Sequence, residues 1–303
     1  MYRAGTPARG AAAASLGVSG AWRQAFGTAS DSARDPALRA YLTDMLRPYG
    51  LALAEERLTE GQSYGEMAGA LLSEKMAAED DVDLLVFAFA VPDVAPWRAT
   101  ASYLSHLCPG QPFAFAVCDQ GITAPFTALR LIRDYASTGG CRRALLVVAE
   151  QAAMPYRQAG LAATPDRHAV VALLCEQSAG TGPGRPEQPR LAQVRVQASV
   201  TRPQASRLLA CAAADLPAGD DLTAVVGTGL ADDALAAGLP GRVVIAPPEQ
   251  PITGVWWEVA AGLPEWAARG DGGERGARVL LADYDPGLGH LGLAVVEIPG
   301  ERR

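Results

Sequence analysis

The chemistry that the sequence could perform is concentrated at one thiol, Cys118, which stands between an apolar segment and an amphipathic one. Residues 114–132 read AFAVCDQGITAPFTALRLI, a pattern typical of a buried strand, a short polar corner and a helix. Such a corner commonly presents a nucleophile, because the helix N-terminus stabilises negative charge beside it. Cys118 still belongs to the apolar segment, which favours a small buried core thiol. Asp119 beside it would oppose formation of a thiolate.

Two of the three histidines could serve as a base for that thiol. His168 opens an apolar run and His290 directly precedes one, but no spacing along the chain links either of them to Cys118. A pair of Cys118 with His290 or His168 therefore stays the alternative catalytic arrangement, in which the thiolate would accept an acyl group. A core or solvated histidine is the competing interpretation.

The elements that would position these groups alternate between strands and helices. The first half contains four apolar strands, VDLLVFAFAVPD, FAFAV, RRALLVVAEQ and HAVVALLCE, and a helix is expected from about Ala124 to Tyr135. Strands without a polar face must be covered on both sides, which predicts an α/β fold. The opening MYRAGTPARGAAAASLGVSGAW is interpreted as a glycine-rich entry to a first strand rather than as a secretion signal.

The same order of elements recurs in the second half. DLTAVVGTGL corresponds to DLLVFAFAVP, GRVVIAPPEQ to FAFAVCDQ, GVWWEVAAGLPEWAARG to APFTALRLIRDYASTGG, ARVLLADYD to RRALLVVAEQ, and LGLAVVEI to HAVVALLCE. Five elements in one order predict a duplication, with two pseudo-symmetric halves that face each other. The segment QSAGTGPGRPEQPR favours a linker, so we expect halves at 1–177 and 191–303, joined by 178–190.

This order of elements resembles the thiolase fold, and within it ketoacyl-acyl-carrier-protein synthase III. Over roughly Glu66 to Ile298, AFAVCDQGITAPFTALRLIRDYASTGGCRRALLVVAEQ is similar to the family's nucleophile strand, central helix and following strand. ARVLLADYDPGLGHLGLAVVEI is similar to its closing strand, glycine-rich loop and last strand. The resemblance implies duplicated α/β halves in an αβαβα layered arrangement.

The family uses a Cys at the helix N-terminus, a His and an Asn, and the resemblance finds none of the three in this chain. In the family the Cys takes the acyl group, while the His and Asn donate hydrogen bonds to an oxyanion on the second substrate. The corresponding positions are Gly121 or Ile122 for the Cys, Thr228 for the His and Ile252 for the Asn. The resemblance therefore implies that no catalytic residue remains and that the chain alone does not catalyse decarboxylative condensation.

Two tryptophans stand close to the position of the missing Asn. Trp256 and Trp257 begin the helix that follows Ile252. Their indoles either crowd the space that an acyl chain would need or pack into the core. Both interpretations predict a filled cavity.

A further resemblance concerns the partner. The chain is similar to the inactive chain of the heterodimeric alkylquinolone-forming condensing enzyme in its short length, its CDQG corner and its ending. This implies a non-catalytic subunit that pairs with a competent synthase III-like subunit in fatty-acyl, polyketide-type or related secondary-metabolite biosynthesis. Acyl carrier protein or acyl-CoA would be met through that partner, and FAFAV would be the pairing strand. The alternative is an acyltransferase that uses Cys118 without decarboxylation.

Composition argues against several other classes of protein. The 303 residues carry a net charge of -7 with no run of Lys and Arg, so we expect no nucleic-acid partner. No apolar run approaches the roughly 18 residues that span a bilayer. Five cysteines without a C-x-x-C pair predict neither a disulfide framework nor a metal site, and favour a reducing cytoplasm. The glycines of PGLGHLG lie between two strands with no helix after them, so we expect no cofactor.

Overall fold

The chain alternates strands and helices, as the apolar patterns predict. The computed structural model describes residues 16–27, 35–54, 62–77, 80–152, 165–177, 188–217, 221–236, 238–270 and 276–299. The strands within these ranges are β1 Leu16–Phe26, β2 Leu84–Ala88, β3 Phe113–Val117, β4 Arg143–Glu150, β5 His168–Gln177, β6 Arg190–Gln197, β7 Asp221–Val226, β8 Arg242–Ile245, β9 Ala277–Asp285 and β10 His290–Ile298. The α-helices are α1 Pro36–Leu46, α2 Tyr64–Lys75, α3 Thr100–Leu107, α4 Ala124–Ser137, α5 Arg202–Ala214, α6 Ala231–Ala236 and α7 Gly254–Gly270.

The strands form two five-stranded halves with the same internal order. The first half runs β3-β2-β4-β5-β1 and the second β8-β7-β9-β10-β6. In both halves the first three strands of this order are parallel and the remaining pairs are antiparallel. The halves join at β1 and β6, where Gly17 and Arg190 are paired in register. The matching orders confirm the duplication that the repeated pattern predicts.

Helices α4 and α7 lie between the two halves and form the central layer. One continuous buried cluster contains residues of both helices together with the inward faces of strands from both halves. A second cluster packs α2 and α3 on the outer face of the first half, and a third packs α5 and α6 on the outer face of the second. In β4, Leu146 and Val148 face the central layer whereas Leu145 and Val147 face the outer helices, which explains the uniformly apolar strands. The layers are therefore αβαβα.

The two central helices touch through one pair of aromatic rings. Phe126 of α4 and Trp256 of α7 pack edge to face, with their centroids 4.9 Å apart. Both side chains are completely or almost completely buried. A Cβ at Gly292 would press against the ring of Phe126, so the absence of a side chain there lets β10 approach α4 closely. This contact couples the halves directly at the middle of the molecule.

The limits of the two halves stay a prediction. Residues 178–187 of the expected linker lie outside the described residues, and β6 begins at Arg190. β1 begins at Leu16, and residues 1–15 also lie outside the described residues. Among the described residues, no helix combines the length and the apolar character that crossing a membrane requires.

Candidate functional site

The corner between β3 and α4 turns the chain from the sheet into the central layer. A 3-10 turn spans Gly121–Thr123 and leads directly into α4. Asp119 and Gly121 adopt left-handed backbone conformations, with φ of 60° and 53°. The hydroxyl of Thr123 donates to the carbonyl oxygen of Gln120 at 2.8 Å, which closes the turn. Glycine suits this position because it has no Cβ to oppose a positive φ.

A carboxylate from the second half occupies the space beside Gly121. A Cβ added to Gly121 would overlap Oδ2 of Asp285. The same Oδ2 accepts the backbone N–H of Ile122 at 3.3 Å. Oδ1 accepts the N–H groups of Gly287 and Leu288 at 2.9 and 3.0 Å. The point from which a nucleophilic side chain would extend is therefore held by the carboxylate of Asp285.

The three positions that the sequence resemblance singled out meet at one cavity. Gly121, Thr228 and Ile252 all line a cavity of about 680 Å³ between the two halves. Residues 284–288, at the turn between β9 and β10, form another part of the wall. None of the three side chains supplies an activated nucleophile, and the hydroxyl of Thr228 is the one hydrogen-bonding group among them. The structure thus brings the three predicted positions together at one cavity.

Thr228 lies on a turn that is pressed against β9. The turn Thr228–Leu230 follows β7, and a Cβ on Gly227 would overlap the carboxyl group of Asp283. Burial, with a smaller contribution from the charge of Asp285, raises the pKa of Asp283 well above its usual range. Thr228 is half-buried and lines the cavity.

The corner before α7 is held by a second carboxylate, which sequence reasoning missed. Glu150, at the end of β4, accepts the N–H of Ile252 at 2.9 Å and that of Thr253 at 3.4 Å. The hydroxyl of Thr253 also donates to Glu150. Glu150 is completely buried, and this burial raises its pKa to about 7 although the three hydrogen bonds act in the opposite direction.

The structure places Cys118 just beyond β3 rather than within it. The thiol is half-buried, so the expectation of a core thiol on the strand was wrong; the strand ends one residue earlier. Its Sγ donates to Oδ2 of Asp119 at 3.4 Å. Burial raises the pKa of Cys118, and the hydrogen bond and charge of Asp119 raise it further. This environment opposes the thiolate that an acyl transfer would need.

The two candidate histidines are each the first residue of a strand. His168 opens β5 and His290 opens β10. Neither side chain is among the described hydrogen-bond partners of Cys118, and neither lines the cavity that contains Gly121. The described contacts thus do not join Cys118 to an imidazole.

The mouth of the cavity carries one arginine whose charge is already paired. Arg202 lines the cavity, and its Nε lies 2.9 Å from Oδ2 of Asp233. Asp233 also accepts the hydroxyl of Ser206 at 2.6 Å. A hydrogen bond from Ser206 and the adjacent guanidinium lower the pKa of Asp233. Arg202, which is half exposed, therefore has a partner on the protein while it also lines the cavity.

The prediction that the tryptophans leave a filled cavity was wrong. Trp256 is directed between the central helices against Phe126, and Arg23 stacks over Trp257 with its guanidinium 4.8 Å from the ring centroid. Neither indole lines the cavity at Gly121. The bulk of the two rings therefore fills the central layer and leaves the corner open.

No metal cluster is found within the described ranges. These residues contain no group of three or more His, Cys, Asp or Glu side chains that could hold a metal ion. The glycine-rich segment after Asp285 is the turn of a hairpin between β9 and β10, so it does not lead into a helix as a phosphate-binding loop does.

The two carboxylates could have been found from the repeat. DQGIT at 119–123 corresponds to EQPIT at 249–253, immediately before the two central helices. In the aligned strands β4 and β9, Glu150 corresponds to Asp285. Each half therefore ends the equivalent strand in a carboxylate, and each half begins its central helix with a similar segment. This repetition was the sequence signal for the two carboxylates.

Comparison with known proteins shows the fold. The sequence matches no family profile and no curated protein. The structure is similar to that of AbyA1, described as a tetronic acid condensing enzyme, at 16% identity and a TM-score of 0.62, over 93% of this chain and 99% of that one. It is similar to 3-oxoacyl-[acyl-carrier-protein] synthase III from Aquifex aeolicus VF5 at 12% identity and a TM-score of 0.61, over 93% and 99% of the two chains.

A third similar structure is Xanthomonas campestris OleA, solved with bound lauric acid and lauroyl-CoA. It has 13% identity and a TM-score of 0.60, over 93% of this chain and 98% of that one. Together with the layers and strand orders described above, these likenesses show that the chain has the thiolase fold.

Proposed function

We propose that this chain is a non-catalytic subunit with the thiolase fold, and that it pairs with a catalytically competent synthase III-like chain. One observation carries the proposal: Gly121, Thr228 and Ile252 meet at one cavity, where the carboxylate of Asp285 takes the place of a nucleophilic side chain. Attack on a thioester needs a thiolate or an activated hydroxyl at that point.

The setting of the partner's reaction is inferred from the similar structures. AbyA1 is described as a condensing enzyme, and OleA was solved with an acyl-CoA. We therefore place the pair in fatty-acyl, polyketide-type or related secondary-metabolite biosynthesis. Acyl-CoA or acyl carrier protein would reach the competent chain, and this subunit would support that chain's pocket.

The proposed pairing surface is the free edge of β3. This strand lies at one end of the sheet order, and Phe113 on it is 56% exposed. The rings of Phe113, Phe115 and Tyr135 form a cluster with centroids 5.8 to 6.3 Å apart. An apolar edge strand with unpaired backbone groups adds a strand from another chain readily. A β3-like strand of the partner would extend the sheet and cover these rings.

The test is co-expression with the synthase III-like chain encoded nearest to it, followed by native mass spectrometry. We expect a one-to-one heterodimer. Phe113→Glu should abolish it, because the variant places a charge on the paired edge while leaving the buried core intact. Ala210→Glu adds the same charge on exposed α5 of the other half and should leave the dimer unchanged. A monomer or homodimer in every mixture would contradict the proposal, as would equal effects of the two variants.

The alternative of an acyltransferase would depend on Cys118. Its neighbour Asp119 and its partial burial both raise the pKa of the thiol, so the reactive thiolate is disfavoured. The described contacts bring no histidine to its side. These observations favour the non-catalytic subunit.

A further inference from the structure

The carboxylate of Asp285 makes more contacts than are needed to fill the space beside Gly121. Its carboxylate borders the cavity and accepts N–H groups from two separate parts of the fold. The N–H groups of Gly287 and Leu288 belong to its own hairpin, and an Asp at the start of a turn commonly accepts such bonds. The N–H of Ile122 lies 163 positions away in sequence, in the turn that opens α4. A local turn role therefore accounts for only part of the arrangement.

The N–H of Ile122 points from the positive end of the central helix. Backbone N–H groups at a helix start stabilise negative charge, whether it is a bound anion or a developing oxyanion. Here that position is taken by Oδ2 of Asp285, which also overlaps the place of a Cβ on Gly121. The same Cβ would lie 3.0 Å from a methyl carbon of Leu288, so the hairpin closes the corner from a second direction.

We propose that Asp285 is an internal blocking anion. It satisfies the N–H groups that would otherwise receive a carboxylate or a thioester-derived oxyanion, and its charge repels such ligands from this end of the cavity. The arginine on the cavity wall, Arg202, forms an ion pair with Asp233, and no hydrogen bond or ion pair between Arg202 and Asp285 is found among the described residues. The inference rests on the proposed function, since it explains how the former acyl site is kept closed in a non-catalytic subunit.

Glu150 shows that the block is specific to one corner. Both carboxylates accept N–H groups from the start of a central helix. Glu150 is completely buried and does not line the cavity, whereas Asp285 is 7% exposed and does. Of these two carboxylates, that of Asp285 is the one that an entering ligand would meet.

Removing the carboxylate should convert the corner into a site for a small external carboxylate. The probe is sodium acetate, replacing sodium chloride at constant ionic strength, and the readout is the Tm of the isolated chain. In Asp285→Ala, we expect acetate to raise the Tm by about 2–4 °C relative to chloride, because it binds the vacated N–H groups. The natural chain should show no difference between the two salts. An equal response of both proteins to acetate, or none in either, would overturn the proposal.

Asp285→Asn is the matched control. Its amide oxygen still accepts the N–H groups of Gly287 and Leu288, and its side chain still fills the corner, so acetate should not stabilise it. If acetate raised the Tm of Asp285→Asn as much as that of Asp285→Ala, the inferred position of the anion would be wrong. Asp285→Ser, which keeps an acceptor for the hairpin and vacates the corner, replaces Asp285→Ala if that variant does not fold. These measurements use no partner and no thioester, so their failure would leave the heterodimer test unaffected.

Discussion

The corners before α4 and α7 are built on one plan and differ in what they enclose. Each precedes a central helix, and each receives a carboxylate from the equivalent strand of the opposite half, Asp285 from β9 or Glu150 from β4. At the α7 corner, Thr253 adds a hydroxyl and the carboxylate is completely buried. At the α4 corner, the carboxylate borders an open cavity. The α7 corner is therefore closed by a buried carboxylate, whereas the α4 corner borders open space.

The two corners therefore differ in the space beside their carboxylates. Asp285 lies where a Cβ of residue 121 would project, and both residues line a cavity of about 680 Å³. The buried corner should therefore lose more stability when its carboxylate is removed, while the open corner should respond to added ligands. The predictions below test that division.

The largest effect is expected at the contact between the central helices. Trp256→Ala should lower the free energy of unfolding by about 3–5 kcal/mol, because it leaves a large cavity against Phe126 in the buried layer. Chemical denaturation measures the change. The matched control, Trp257→Ala, affects a half-buried ring stacked under Arg23 and should cost clearly less. Equal losses would show that the two indoles share one environment.

Removal of the two carboxylates should have unequal effects. Glu150→Ala should lower the free energy of unfolding by about 3 kcal/mol, since two N–H groups and a hydroxyl lose their buried acceptor. Asp285→Ala should cost about 1–2 kcal/mol, because water in the cavity can replace the lost acceptor. Denaturant titration of both variants gives the comparison. A larger loss for Asp285→Ala would reverse the roles assigned to the corners.

Glu150, at the corner before α7, should also make the free energy of unfolding depend on pH. Burial raises the pKa of Glu150 to about 7 from an ordinary 4.5, so the folded state binds the proton more tightly than the unfolded state does. The stability that the folded state gains from binding this proton on Glu150 is fully present below about pH 4.5 and is lost as the pH rises through 7. Glu150→Gln cannot titrate at this position. The stability of the natural chain relative to Glu150→Gln should therefore fall by up to about 3 kcal/mol over this range.

Denaturation curves at several pH values measure that difference. Other buried acids, such as Asp93 with its pKa raised to about 6, are present in both proteins and largely cancel. A constant difference from pH 4.5 to 7 would mean that Glu150 is not held in this environment.

The open corner should resist even a methyl group. Gly121→Ala should cost about 2 kcal/mol, because a positive φ is combined with an overlap with Asp285. Gly139→Ala is the control: its φ is also positive, but no atom lies within 4 Å of the added Cβ, so we expect about 1 kcal/mol. Adding Asp285→Ser to Gly121→Ala should recover part of the loss. If the two alanine variants were equally stable, the overlap at Gly121 would be immaterial.

The repeated pattern predicted most of the architecture. Uniformly apolar strands such as RALLVVAE are explained by a sheet covered on both faces, and each strand in one half has a counterpart in the other. The resemblance also led to three positions, Gly121, Thr228 and Ile252, that meet in space. Local patterns and their order were enough for these inferences, because both depend on element sequence rather than on side-chain contacts.

The features that were missed depend on contacts between distant residues. Asp285 and Glu150 each end a strand, where a single polar residue is unremarkable and becomes visible only when the two repeats are aligned; their backbone partners lie in the opposite half. The direction of Trp256 depends on the packing of α4 against α7, which no pattern within α7 indicates. Cys118 was placed on the strand because the residues before it are apolar, but the strand ends at Val117.

The most direct test of the central claim asks whether any group in the chain can take an acyl group. The natural chain and Cys118→Ala are incubated with lauroyl-CoA, and their intact masses are recorded. The absence of a reactive nucleophile predicts that both masses stay unchanged. A lauroyl adduct on the natural chain that is missing from Cys118→Ala would show a working thiol at the corner and would contradict the account.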